Sequence, residues 1–266
     1  AGDGTGMGGE LCGVDILFIV DNSLSMDVNK PAIIAAFDDF VDEMVNTLEP
    51  GTPVHIGVTR GTGFFNPGNG SGWGSGCEFS YLDGVWTPPD VMMNGENGHQ
   101  GRLYEHQGQR YGEFETDGDT TTIKTWFEGA LSGAIANAGT SNSESVVAAA
   151  AYPFHPANAT HNAGFVRDKA VLVLFLISDA PDATPDTVTT QSMVDLVSDA
   201  KATCGDECIL TGGVVAGACY EDPMATNTRL TDFLNAFPAD PAVDVFNGTS
   251  APSSFSDVLG AALADT

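Results

Sequence analysis

Val14-Asp15-Ile16-Leu17-Phe18-Ile19-Val20-Asp21-Asn22-Ser23-Leu24-Ser25-Met26 decides how the rest of this chain reads. Residues 14–20 are apolar apart from Asp15, the pattern of a strand buried on both faces of a sheet. The run ends in short polar side chains, Asp21, Asn22, Ser23 and Ser25, and a helical period then takes over. Ile33, Ile34, Phe37, Phe40, Val41, Met44, Val45 and Leu48 share one helical face; Pro31 sits in the first turn and Pro50-Gly51 stops the helix. A buried strand passing through a polar turn into a helix is the start of a parallel α/β sheet.

The same rhythm continues downstream. Residues 54–59 form a second strand, and residues 111–116 a short edge strand. Phe127, Ala130, Leu131, Ala134 and Ile135 mark one helix face, and a second helix through 146–152 follows the turn Gly139-Thr140-Ser141, with Ser143 as its cap. Residues 171–177 are the most apolar strand, followed by an amphipathic helix (187–202), a strand (209–215), a helix (229–237), a short strand (243–246) and a closing helix (254–263). The expected fold is therefore α/β, a doubly wound and mostly parallel sheet flanked by helices.

Two stretches depart from this alternation. Residues 1–11 are Gly-rich and read as a flexible linker, leaving 12–266 as one domain. Residues 61–110, rich in Gly and Asn with scattered aromatics, are too long for an ordinary connection and read as an insertion. The chain leaves the second strand at the sheet edge that carries Asp21, so the insertion starts beside that residue. Its Trp73, Tyr81 and Trp86 are candidate ligand contacts, although packing of the insertion onto the domain is the favoured explanation of them.

Charge is the strongest compositional signal. There are 36 acidic and 9 basic residues, a net charge of −27, which argues against a nucleic-acid partner because a surface of this sign repels phosphate. No apolar run approaches the roughly 20 residues needed to span a bilayer, so direct membrane insertion is not expected. The chain starts at Ala1 with no charged-then-apolar leader, which reads as a signal removed or never present. Five cysteines lack the paired spacing of a zinc site and favour disulfides in an oxidising compartment. Cys204, Cys208, Cys77 and Cys219 are the candidates, with the odd cysteine left free or paired outside the chain.

Open parallel sheets bind ligands at the carboxyl ends of their strands. Asp21-x-Ser23-x-Ser25 closes the first strand there, and Ser178-Asp179 closes the strand at 171–177. Hard divalent cations take oxygen ligands, and alternate side chains of such a turn can point at one locus. Helix capping by Asp21 and the serines is the lesser alternative for the turn taken alone.

Residues 14–26 resemble the metal-ion-dependent adhesion site signature of von Willebrand factor type A domains. That family adds a Thr between two mid-chain helices, matched by Thr140, and an Asp after the fourth parallel strand, matched by Asp179. Leu24 stands where a small residue is common. The resemblance implies a Rossmann-like sheet of order 3-2-1-4-5-6 with one antiparallel edge strand. It also implies a metal centre of Asp21, Ser23, Ser25, Thr140 and Asp179 holding Mg²⁺, or Ca²⁺ or Mn²⁺. A protein ligand presenting a carboxylate would fill the open position of the ion. The function implied is an extracellular or cell-surface adhesion module, a periplasmic location being the variant. The alternative is a structural subunit or tip of a surface assembly, bound to neighbouring subunits, whose metal only steadies loops.

Other chemistries fit less well. Asp21, His55 and Ser141 follow the chain order of a subtilisin-like triad, but His55 lies inside a strand and Asp21 lacks that family's flanking residues. No nucleophile with its base is otherwise visible, so an enzyme is not expected. An intracellular partner of a chelatase, a role of some family members, is disfavoured by the five cysteines and the acidity. His99, His106, His155 and His161 lack metal spacing; Asp117-Gly118-Asp119 and Asp179 with Asp182 are incomplete calcium-loop fragments.

Overall fold

Strand alternation divides the first strand between two cores. In the computed structural model, which describes residues 13–61, 97–135, 144–184, 188–216 and 228–246 (without the side chains of Leu24, Ser25 and Phe246), β1 is Val14–Val20. Val14, Ile16, Phe18 and Val20 face one side of the sheet, where α1 (Lys30–Thr47) and α2 (Thr121–Ile135) cover them. Leu17 and Ile19 face the other side, under α3 (Val146–Ala151), α4 (Thr190–Ala200) and α5 (Arg229–Leu234). Burial on both faces is what the uninterrupted apolar run requires.

The remaining strands are β2 (Pro53–Arg60), β3 (Tyr111–Glu115), β4 (Val171–Ile177), β5 (Ile209–Ala216) and β6 (Ala242–Phe246). They lie in the order β3-β2-β1-β4-β5-β6; β3 is antiparallel to β2 and every other pairing is parallel. The expected order and the single antiparallel edge are both observed.

Phe18 organises the α1/α2 core. Its ring lies 4.8 Å from that of Phe127, 5.7 Å from Phe175 and 5.8 Å from Phe37, in tilted or edge-on arrangements. Such contacts add about 0.5–1.5 kcal/mol per pair beyond area burial. They anchor both helices against β1 and so fix the turn that follows it.

Local chemistry sets the helix ends. Thr189 accepts the amide of Ser192 at 3.1 Å and starts α4 three residues later than the expected 187. Asp119 accepts the amide of Thr121 at 2.9 Å ahead of α2, so the Asp117-Gly118-Asp119 fragment serves a turn and a helix start. Cys204 and Cys208 are joined as a disulfide around a one-turn helix, Asp206–Cys208. Cys77 and Cys219, Ser143, the Gly-rich linker and the closing helix at 254–263 lie outside the described residues. No helix among the described residues is long and apolar enough to cross a membrane.

Candidate metal centre

The carboxyl ends of β1, β2 and β4 meet around Asp21. Its amide donates to Ile177 O at 2.8 Å, extending the β1–β4 pairing by one residue. On the other flank Gly61 N donates to Val20 O at 2.8 Å. A methyl group at Gly61 would lie 3.4 Å from Asp21 Cα and 2.9 Å from Val146 Cγ1, so only glycine lets β2 pass this close. The chain therefore leaves β2 beside Asp21, and residues 62–96 lie outside the described residues. Its return limb is tied back through Gly98 O, which accepts Arg60 N at 2.9 Å, and Tyr104 N, which donates to Val58 O at 2.7 Å.

Asp21 is fully buried, and its two oxygens are held separately. Oδ1 accepts the amide of Ser23 at 2.7 Å, and Oδ2 accepts the hydroxyl of Ser178 at 2.9 Å. Burial pushes its carboxyl up to about 6; the amide and hydroxyl of Ser23 and the hydroxyl of Ser178 pull it down, and the charge of Asp179 pushes it up. No Lys, Arg or His among the described residues pairs with it. Asp179 is half-buried. Ser23 is buried at the head of the one-turn helix Leu24–Val28, which contains Ser25.

The fourth wall comes from the segment ahead of α3. Ser145 N donates to Gly61 O at 2.6 Å, and Ala183 N donates to Glu144 O at 2.6 Å. Glu144 is buried, and its carboxyl is pushed up to about 8 by burial first, then by the charges of Asp21, Asp179 and Asp182. Asp182 is buried too, but satisfied. Its Oδ1 accepts Val147 N at 2.9 Å, its Oδ2 accepts Thr184 N at 3.1 Å, and Arg229 Nε stands 3.7 Å away. Asp182 thus caps α3 from across the sheet.

Of the residues expected from sequence, the structure brings together Asp21, Ser23 and Asp179. Thr140, Trp73, Tyr81 and Trp86 lie outside the described residues, as does the side chain of Ser25. Among the described residues no three His, Cys, Asp or Glu side chains form a group able to hold a metal. This end of the sheet offers a different arrangement among the described residues. Its donor set is carboxylates mixed with hydroxyls, with two buried oxygens, Glu144 Oε2 and Ser145 Oγ, lacking any hydrogen-bond partner. Hard oxygens beside buried acids fit a divalent cation.

Glu144, Ser145 and Ser178 were not singled out by their spacing. One signal for Glu144 was present: it is the only Asp, Glu, Lys or Arg between Glu128 and Arg167. The subtilisin-like triad does not assemble. His55 sits in register with Asp15 and bonds Phe165 O at 2.8 Å, while Asp21 lies six residues further along β1, about 20 Å at 3.3 Å per residue.

No protein-family model matches the sequence, and no curated protein matches it. Solved structures do show similarity. A von Willebrand factor type A protein from Catenulispora acidiphila aligns at 12% identity and TM-score 0.42, covering 95% of this chain and 42% of its own. Proximal thread matrix protein 1 from the mussel byssus aligns at 13% identity and TM-score 0.47, covering 95% and 49%. The pilus adhesin SpaC of Lactobacillus rhamnosus GG aligns at 12% identity and TM-score 0.46, covering 95% and 29%. The chain spans less than half the length of each. The architecture rests on the chain's own strand order, a Rossmann-like α/β sheet with one antiparallel edge, which is the order that the resemblance of residues 14–26 to von Willebrand factor type A domains implied.

Proposed function

We propose that this chain is an extracellular or cell-surface binding module that holds one divalent cation at the carboxyl end of its sheet. Asp21, Ser23, Ser25, Thr140 and Asp179 would hold the ion, Mg²⁺ or else Ca²⁺ or Mn²⁺. Through it the module would bind an acidic group of a protein partner. The observation that carries this reading is Asp21: a fully buried carboxylate, oriented by Ser23 and Ser178, facing Asp179, with no basic partner among the described residues. Burying such a group is costly unless a cation compensates it.

When bound, the cation supplies a positive centre open to an anionic ligand. The chain's own residues do the rest. Ser178 and the Ser23 amide fix the Asp21 carboxylate, and the Gly61 backbone keeps the wall close. The protein's charge of −27 repels an acidic partner at long range, so recognition must be short-range, within the screening length of about 8 Å at physiological salt.

Calorimetric titration with Mg²⁺, Ca²⁺ and Mn²⁺ tests the reading on the wild type and on the double variant Asp21→Ala/Asp179→Ala. One-site binding that vanishes in the variant supports it. Absence of binding to the wild type discards it.

A further inference from the structure

Glu144 is the acid that the proposed ligand set leaves unused. It is 3% exposed, and its Oε2 meets no hydrogen-bond donor. Its neighbour Ser145 is fully buried, with a hydroxyl equally without a partner. Buried polar atoms in native folds are satisfied with few exceptions, so two adjacent orphan oxygens are open to a bound donor or cation. No Lys, Arg or His pairs with Glu144 among the described residues; Arg229 stands against Asp182 at 3.7 Å.

The backbone around this pair leaves it little freedom. Ser145 N is bonded to Gly61 O, and Glu144 O to Ala183 N, so the segment spans the gap between the ends of β2 and β4. A Cβ at Gly61 would meet both Val146 and the Asp21 backbone. The acids that act on Glu144 most strongly are Asp21 and then Asp179, the two carboxylates of the proposed centre.

We propose that Glu144 is a further member of the cation centre, contributing its free carboxylate oxygen from the segment before α3 with the Ser145 hydroxyl beside it. This rests on the cation reading above and deepens it. Asp21, Asp179 and Glu144 do not form one direct-ligand group, so at least one of them meets the ion through a water. Whichever does, the third negative charge strengthens the hold on the cation before any partner arrives. It also favours Ca²⁺, whose larger shell accepts more oxygens, over Mg²⁺.

The test is calorimetric titration of the full chain with Ca²⁺ and Mg²⁺, comparing wild type with Glu144→Gln, alongside thermal melts without metal. Wild type is expected to bind Ca²⁺ more tightly than Mg²⁺. Glu144→Gln is expected to weaken Ca²⁺ about ten-fold or more, the cost typical of losing a residue that supports a metal. Its metal-free melting temperature should hold or rise, because a neutral isostere replaces a buried acid. A purely structural role would instead lower the metal-free melting temperature and leave affinity alone. Should Glu144→Gln fail to fold, Glu144→Met, uncharged and of similar length, is read by the same criteria. Wild-type binding that survives the substitution within two-fold overturns this proposal alone, whereas a wild type that binds neither ion overturns it together with the cation reading.

Discussion

Ser178 and Asp21, 157 residues apart in sequence, share a 2.9 Å hydrogen bond across the β1–β4 boundary. The Ser178 hydroxyl also lies 2.9 Å from Ala180 O, and it has one proton for the two acceptors. A charged acceptor forms the stronger bond, so the proton belongs to Asp21 whenever that carboxylate is ionised.

Replacing Ser178 by alanine should therefore act on the charged form of Asp21. A hydrogen bond to a buried charge contributes about 1.5–3 kcal/mol, so Ser178→Ala should lose that much stability at pH 8, where Asp21 is ionised. The loss should shrink at pH 5, where Asp21 is protonated. Urea melts at the two pH values check this, and equal losses would place the hydroxyl proton on Ala180 O instead.

The acids of the centre fix the sign of the pH dependence without metal. Asp21 keeps its proton up to about 6 and Glu144 up to about 8 in the fold. In the unfolded chain both release it at about 4. Between those limits the native state binds more protons, so metal-free stability falls as pH rises from about 4 to about 8. A cation that binds the ionised forms must gain affinity over the same range. Melts in a chelator at stepped pH should fall steadily, and a flat profile would mean the acids are already compensated.

The opposite end of the sheet supplies a control. Asp15 is fully buried at the start of β1, and Arg167 clamps it: the Arg167 amide and Nε each donate at 2.7 Å, and Nη2 stands 2.6 Å away. Lys201 Nζ closes the knot by donating to Arg167 O at 2.7 Å. Asp15→Ala leaves a guanidinium without its carboxylate, at a cost of about 3–5 kcal/mol. Cation affinity should not change, since Asp15 lies about 20 Å from Asp21 along the strand. Loss of binding in a variant that still folds would show that the two ends are coupled.

How much of this was legible in sequence follows from how local each cause is. β1 and β4 occupy 14–20 and 171–177 as read, because fully apolar runs end abruptly in polar residues. The helix expected over 229–237 stops at Leu234, although Phe237 is buried: apolar spacing records which residues face the core, not where helical bonds end. At the start of α3 a cap comes from a residue distant in sequence, which local spacing does not reveal. Ser145 stands at the helix start without a side-chain bond, and Asp182 takes the Val147 amide from the loop after β4. The placement of Asp21, Ser23 and Asp179 at one end of the sheet was readable because strand ends order them in sequence. Glu144 was not, because its meaning depends on which acids the fold brings to it.

Gly61 offers a way to test whether that wall must stay close. A methyl group there would meet Val146 Cγ1 at 2.9 Å, nearer than ordinary packing permits. Gly61→Ala should push the Glu144–Ser145 segment away from Asp21 and cost about 1–3 kcal/mol, the usual penalty of overpacking. Val146→Ala removes the obstructing methyl groups and creates a small void of its own. Combined, the two should be less harmful than the sum of the singles, giving a coupling of about 0.5–3 kcal/mol. Cation affinity should follow the same pattern, reduced in Gly61→Ala and partly restored in the double variant. Strict additivity in stability would mean that Gly61 meets some other neighbour first. Additive stability with restored affinity would separate the packing of the wall from its part in holding the ion.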